Sequence, residues 1–233
     1  MKKYKFIVLF SIGIIFIVSG LYLGGQKQIN SLIPIEELEI SDKNYSIGNT
    51  STIESAKYLN VSINAAKIMI IERQREDIQI QCSNNSFSID IEDQTITINQ
   101  KIFVSNDDSP VILIKVPEGY CFQSVDMEVG AGKLIVDSLT TERLNAEVGA
   151  GELKISHLYV KEELNIECGI GNVVVGLDQS IDDFDYEVDC GMGNVTLGVN
   201  QYSGVAQNQS ISHDKNYFMN IECGIGNVEI KEE

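Results

Sequence analysis

The stretch LNIECGIGNVVV, Leu164 to Val175, decides how this chain is read, because the same phrase recurs along it. The other copies are VDMEVGAGKLIV from Val125, LNAEVGAGELKI from Leu144, YEVDCGMGNVTL from Tyr186 and MNIECGIGNVEI from Met219. Their first glycines, Gly130, Gly149, Gly169, Gly191 and Gly224, are 19, 20, 22 and 33 residues apart. The last step is therefore one repeat with an insert, or two with one degraded. Each copy alternates apolar and polar residues, turns at Gly-x-Gly and alternates again, the pattern of two short strands joined at a corner. Glycine suits that corner because it accepts backbone angles closed to other residues and lets neighbouring coils approach closely. A unit of about 20 residues cannot enclose a core alone, so successive units must stack. The expected fold class is all-β, a single-stranded β-helix or solenoid with its Gly-x-Gly repeats across 125–230.

Alternation assigns the faces. Positions equivalent to Val125, Met127 and Val129, with Leu134 and Val136, point inward. The fifth position reads Val129, Val148, Cys168, Cys190 and Cys223, which stacking in chain order places in one vertical file. Valine is thus interchangeable with cysteine there, and a buried free thiol behaves as a small hydrophobe. A disulfide between neighbours and a metal site are the alternatives, although no Cys-x-x-Cys and no nearby His supplies further zinc ligands. The fourth position reads Glu128, Glu147, Glu167, Asp189 and Glu222, an outward column at the roughly 4.8 Å spacing of paired strands. Like charges so placed repel unless solvent, salt, lysines or a cation such as calcium intervenes. The turns carry Ala, Ile or Met between the glycines, without the Asp of calcium-binding β-rolls.

Outward from the repeats, alternating runs begin at Tyr58, Lys67, Asp77, Ser86, Thr95 and Val111, separated by polar turn clusters and lacking the Gly-x-Gly corner. Asn200 to Asn216 reads as a polar loop inserted in the solenoid. Further upstream, Lys2, Lys3 and Lys5 precede the 18 apolar-centred residues Phe6 to Leu23. At 1.5 Å per residue this segment is about 27 Å long, close to a bilayer's hydrocarbon thickness. Its length and weak cleavage site favour an uncleaved signal anchor over a cleaved peptide. The positive-inside rule leaves the lysines in the cytoplasm and the rest outside. The expected organisation is a cytoplasmic tip and transmembrane anchor over 1–25, a stalk over 26–56 and an extracytoplasmic β-solenoid over 57–233. The N-terminus is cytoplasmic and the C-terminal domain extracellular, at the cell membrane.

The ectodomain, about Tyr58 to Glu233, resembles the bacterial β-strand-repeat family of "putative adhesin" or toastrack domains. The resemblance rests on NVSINAAKIMIIERQREDIQIQC, on VILIKVPEGYCFQSVDMEVGAGKL and on the repeated E-x-G-x-G corners. It implies a stacked β-helix on the cell surface, often attached to a membrane span and sometimes linked to envelope-stress systems, and it supplies no catalytic residues.

Composition narrows the function classes. The 233 residues carry 17 positive and 34 negative side chains, a net of −17, which argues against nucleic acid, whose binding rests on neutralising phosphates. Without the three N-terminal lysines the exported part has 14 positive against 34 negative, −20. GAGK at Gly130 to Lys133 lacks the remainder of a phosphate loop, and no nucleophile elbow or His-Glu-x-x-His occurs. His157 and His213 have no evident nucleophile or carboxylate partner in the sequence, and Asp182, Asp183 and Asp185 read as a solvated turn. No catalytic, cofactor-binding or metal residue is assigned and no cofactor is expected. The resulting expectation is a non-enzymatic, membrane-anchored surface module acting in protein or cell-wall interaction. The alternative is a regulatory or scaffold component of an envelope-stress response system, self-assembling or binding a membrane sensor.

Overall fold

The computed structural model describes residues 49–83, 86–101, 110–203 and 207–233. The anchor expected over 1–25 and most of the 26–56 stalk lie outside them. Among the described residues no helix is long and apolar enough to cross a membrane.

Among the described residues seventeen strands, numbered along the chain, stack into two facing series. The first runs β5 (Phe87–Glu92), β6 (Thr95–Gln100), β2 (Tyr58–Ile63), β8 (Cys121–Val129), then the second halves of β9 (Lys133–Val148) and β10 (Glu152–Cys168). It continues through β16 (Tyr217–Cys223), β12 (Phe184–Cys190) and β15 (Gln207–Ile211). The second runs β1 (Asn49–Ile53), β4 (Ile78–Cys82), β7 (Val111–Pro117) and β3 (Lys67–Arg73), then the first halves of β9 and β10. It ends with β11 (Asn172–Leu177), β17 (Asn227–Glu232), β13 (Asn194–Leu197) and β14 (Asn200–Ser203). Pairing is parallel through the middle and antiparallel at both ends. This is the all-β coil stack that the repeat pattern demands, and its inward files are buried from Leu59, Val125, Leu144 and Leu164 to Met219.

The order of the coils departs from the order of the repeats. Cys168 is in register with Cys223, and Cys223 with Cys190, so the last repeat lies between the third and the fourth. The fifth-position file therefore reads Val129, Val148, Cys168, Cys223, Cys190. After β11 the segment 178–183 steps over one layer, and the returning chain fills the gap. Glu232 fastens the crossing: its Oε1 accepts from the Ile181 amide at 2.7 Å and from Ser180 Oγ at 2.9 Å.

The expected polar loop at Asn200 to Asn216 is instead largely a pair of strands. β14 and β15 run antiparallel to β13 and β12 and form the outermost layer, which explains the 33-residue spacing. At the other end, Asn49–Ile53, which the sequence places in the stalk, pairs with β4 as an antiparallel edge. β2 and β3 form a sixth coil that lacks the glycine signature. Ile63 pairs with Val129 and Ile68 with Leu134, so Asn64, Ala65 and Ala66 stand where the others have Gly-x-Gly. Gln100 completes that corner, its Oε1 accepting from the Asn64 and Ala65 amides at 2.8 Å each. Tyr120 ties the chain entry down, since its hydroxyl accepts from the Ala56 amide at 2.7 Å and donates to the Ala56 carbonyl.

The corner glycines answer to space alone. Among the described residues the positive-φ glycines are Gly119 and Gly198, neither of them in a corner. A Cβ on Gly151 would lie 2.5 Å from the Gly132 carbonyl oxygen and 2.7 Å from Val129 Cγ1. On Gly226 it would lie 2.5 Å from both the Gly171 oxygen and Cys168 Sγ. Each second glycine thus makes room for the fifth-position side chain of the coil below.

Candidate interaction surface

The outward face of the first series carries the fourth-position carboxyls as an in-register ladder, Glu128, Glu147, Glu167, Glu222 and Asp189. The glycine corners force this spacing, since they hold adjacent coils at strand-pairing distance over the whole ladder. Its ends are neutral: Ser62 Oγ donates to Glu128 Oε2 at 2.8 Å, and Asp189 is in register with Asn208. Among the described residues no ladder carboxylate has a Lys or Arg within ion-pairing distance. Burial pushes the central Glu167 carboxyl up to about 7, with repulsion from Glu222 and Glu147 adding to it. Burial also raises Glu147, assisted by Glu128, and raises Glu222, assisted by Asp189 and Glu187 and opposed by a bond from Asn220. No described lysine screens this column, and its central member Glu167 holds its proton into the neutral range.

Beside the ladder runs an amide column. Asn145 Nδ2 donates to Asp126 Oδ1 at 2.7 Å, and Asn165 Nδ2 to Asn145 Oδ1 at 2.9 Å. A second column on the opposite face links Asn172, Asn227, Asn194 and Gln201 through bonds of 2.8 to 3.1 Å. Such ladders satisfy side-chain amides along the stack and fix its register.

On the other flank, the residues between the glycines form a ridge. Their amides bond successively to the coil below, in the order Ala131, Ala150, Ile170, Ile225, Met192. The ridge is small at one end and large at the other, and Ile170, Ile225 and Met192 are 47%, 55% and 66% exposed. Three large apolar side chains in consecutive coils are thus presented next to a file of carboxyls. Stacking in chain order would put Met192 in the middle of the three; insertion of the last repeat puts Ile225 there instead.

The thiols are brought together but not joined. All five cysteines are free, and Cys168, Cys190 and Cys223 are buried. Cys168 Sγ and Cys223 Sγ face the Asn227 and Asn194 carbonyls of the next coil at 4.0 and 3.8 Å, the same environment displaced by one layer. A hydrogen bond with Cys223 and burial both raise the Cys168 thiol. Among the described residues no three His, Cys, Asp or Glu side chains converge to hold a metal, in the thiol file or in the carboxyl ladder.

Both histidines have partners that the sequence concealed. His157 Nδ1 lies 3.0 Å from Asp178 Oδ1, and this bond raises the imidazole. The His213 ring contacts the Phe184 carbonyl at 2.8 Å, while its amide donates to Asp185 Oδ1 at 2.6 Å and lowers that carboxyl. Asp185 is therefore a turn anchor, apart from Asp182 and Asp183 in the crossing segment.

Comparison with known proteins agrees with this architecture. Residues 118–218 match the family model described as Toastrack DUF4097. No curated protein matches the chain. A solved "putative cell adhesion protein" from Clostridium sporogenes has the same fold, with a TM-score of 0.51 at 19% identity over 79% of this chain and 99% of its own. A "putative adhesin" from Bacteroides fragilis aligns with a TM-score of 0.38 at 13% identity over 78% and 97% of the two chains. One from Parabacteroides distasonis gives 0.32 at 14% identity over 79% and 96%. Residues 118–218 are thus similar to toastrack domains, and the chain shares the fold of the Clostridium sporogenes protein.

Proposed function

We propose that the protein is a non-enzymatic, membrane-anchored module that presents its coil stack outside the cell to a protein or cell-wall partner. The observation that carries this reading is the strip formed by the carboxyl ladder, which has no Lys or Arg partner among the described residues, and the exposed ridge of Ile170, Ile225 and Met192. Exposed apolar residues that adjoin one another mark interaction sites more often than scattered ones do. The anchor and the outward orientation rest on the charge order and length of the N-terminal segment, and the adhesion role on the family resemblance.

The test is deletion of the gene, with adherence and the envelope-stress transcriptional response measured side by side. Reintroduction of the wild type is then compared with a chain carrying Ile170→Ser, Ile225→Ser and Met192→Ser. Adherence that falls on deletion and returns only with the wild type supports the proposal. Unchanged adherence with an altered stress response removes the adhesion role and leaves the regulatory one.

A further inference from the structure

We infer that a second copy of this chain docks edge to edge on the outermost layer formed by β14 and β15, extending both faces of the stack across a two-fold axis. The inference is independent of the partner proposed above. Among the described residues β14 pairs with β13 alone and β15 with β12 alone, so each presents one row of backbone amides and carbonyls with no described strand against it. Natural sheets shield such rows with lysine, proline, bulges or charge. Here no residue from Cys190 to Ser212 is Asp, Glu, Lys or Arg, in a chain that is 22% charged, and the three prolines lie elsewhere. The β12–β15 register is unbroken by a bulge. At the opposite end, the edge strand β5 of the first series carries Asp90 and Glu92, while β1, the edge of the second series, is uncharged.

Charge selects the occupant. Each acidic chain repels its like, and every coil from β8 to β12 places a carboxyl on the first face. Pairing two copies through any of those coils would set carboxyls one strand spacing apart, about 5 Å. Pairing through β15 separates the two Asp189 ladder ends by three spacings, about 14 Å, beyond the roughly 8 Å screening length at physiological salt. Centred on Gln209, antiparallel pairing would place Asn208 opposite Ser210 of the second copy, a neutral polar contact. The exposed Asn208, Gln209 and Ser210 are free of the charge that would forbid it.

Sedimentation equilibrium of the full chain in mild detergent over a range of concentrations tests the inference. A wild-type dimer is expected. The double variant Asn208→Glu with Ser210→Glu should weaken it at least about tenfold, equivalent to ~1.4 kcal/mol. The variant Asn208→Lys with Ser210→Lys should weaken it as well, and an equimolar mixture of the two should restore pairing. Circular dichroism checks that each variant keeps the β fold; if one fails to fold, the other alone must still lose the dimer. A wild type that stays monomeric, a dimer indifferent to the folded variants, or open-ended assembly would overturn the inference.

Discussion

Replacing Glu167 with Gln is expected to stabilise the protein at neutral and alkaline pH and to leave it unchanged in acid. Glu167 stands at the centre of the ladder, with Glu147 on one side and Glu222 on the other, and its carboxyl is raised from 4.5 to about 7. A folded-state value above the unfolded one means that stability is fully present below about 4.5 and is lost as pH rises through about 7. The full displacement corresponds to ~3 kcal/mol at 1.36 kcal/mol per unit. Partial exposure lets water and salt screen the charge, so ~1–2 kcal/mol is the realistic effect. For a domain of this size each kcal/mol moves the melting temperature by roughly 2–4 °C. Thermal melts of wild type and Glu167→Gln, paired at each pH from 4.5 to 8.5, should nearly coincide at the acid end and diverge by roughly 3–6 °C at the alkaline end. Taking differences at each pH cancels the titration of carboxylates that do not interact with Glu167, leaving its own charge and its coupling to Glu147 and Glu222. A difference that does not vary with pH, or a Gln variant that melts lower at pH 8, would refute the view that the ladder is held against repulsion.

Other expectations follow from the same packing. Gly226→Ala drives a methyl into the Gly171 carbonyl and the Cys168 sulfur and should cost ~2–3 kcal/mol in denaturant titration; a loss under 1 kcal/mol would mean that the coils can separate. Cys168→Val copies the residue that Val129 and Val148 already place in the file, so its melting should show a cost below ~1.5 kcal/mol, whereas a large loss would mean that the thiol does more than fill space. Tyr120→Phe removes the hydroxyl that both accepts from and donates to Ala56, and hydrogen exchange at the Ala56 amide should accelerate by roughly tenfold, for a loss of about 1–1.5 kcal/mol. A chain ending at residue 216 leaves β10–β11 and β12–β13 with an empty layer between them and should lose its cooperative melt; a two-state transition in that truncation would contradict the inserted order.

The repeat phrases were enough to set the architecture, because period-two alternation around a glycine corner leaves few ways to bury an apolar face. They also set which side chains share a file, and every fifth-position residue from Val129 to Cys190 is indeed in one column. The order within that column was not legible from spacing. A trace of it was present, since NIECGIGNV is identical in the repeats from Leu164 and Met219, which turn out to be neighbours. The coil built from Tyr58–Arg73 escaped notice because Asn64, Ala65 and Ala66 replace the glycine signature, and the side chain of Gln100 supplies what the corner lacks.

Local alternation is a property of a few consecutive residues, so the sequence by itself determined strand type, inward and outward faces, and the kinds of side chain each column holds. Which coil lies on which depends on contacts between residues more than fifty apart, such as Cys168 with Cys223 and Ser180 with Glu232. Only the tertiary structure could decide it. That choice makes Glu222 the neighbour of Glu167, sets Ile225 between Ile170 and Met192, and leaves the uncharged β14 and β15 as the outer layer.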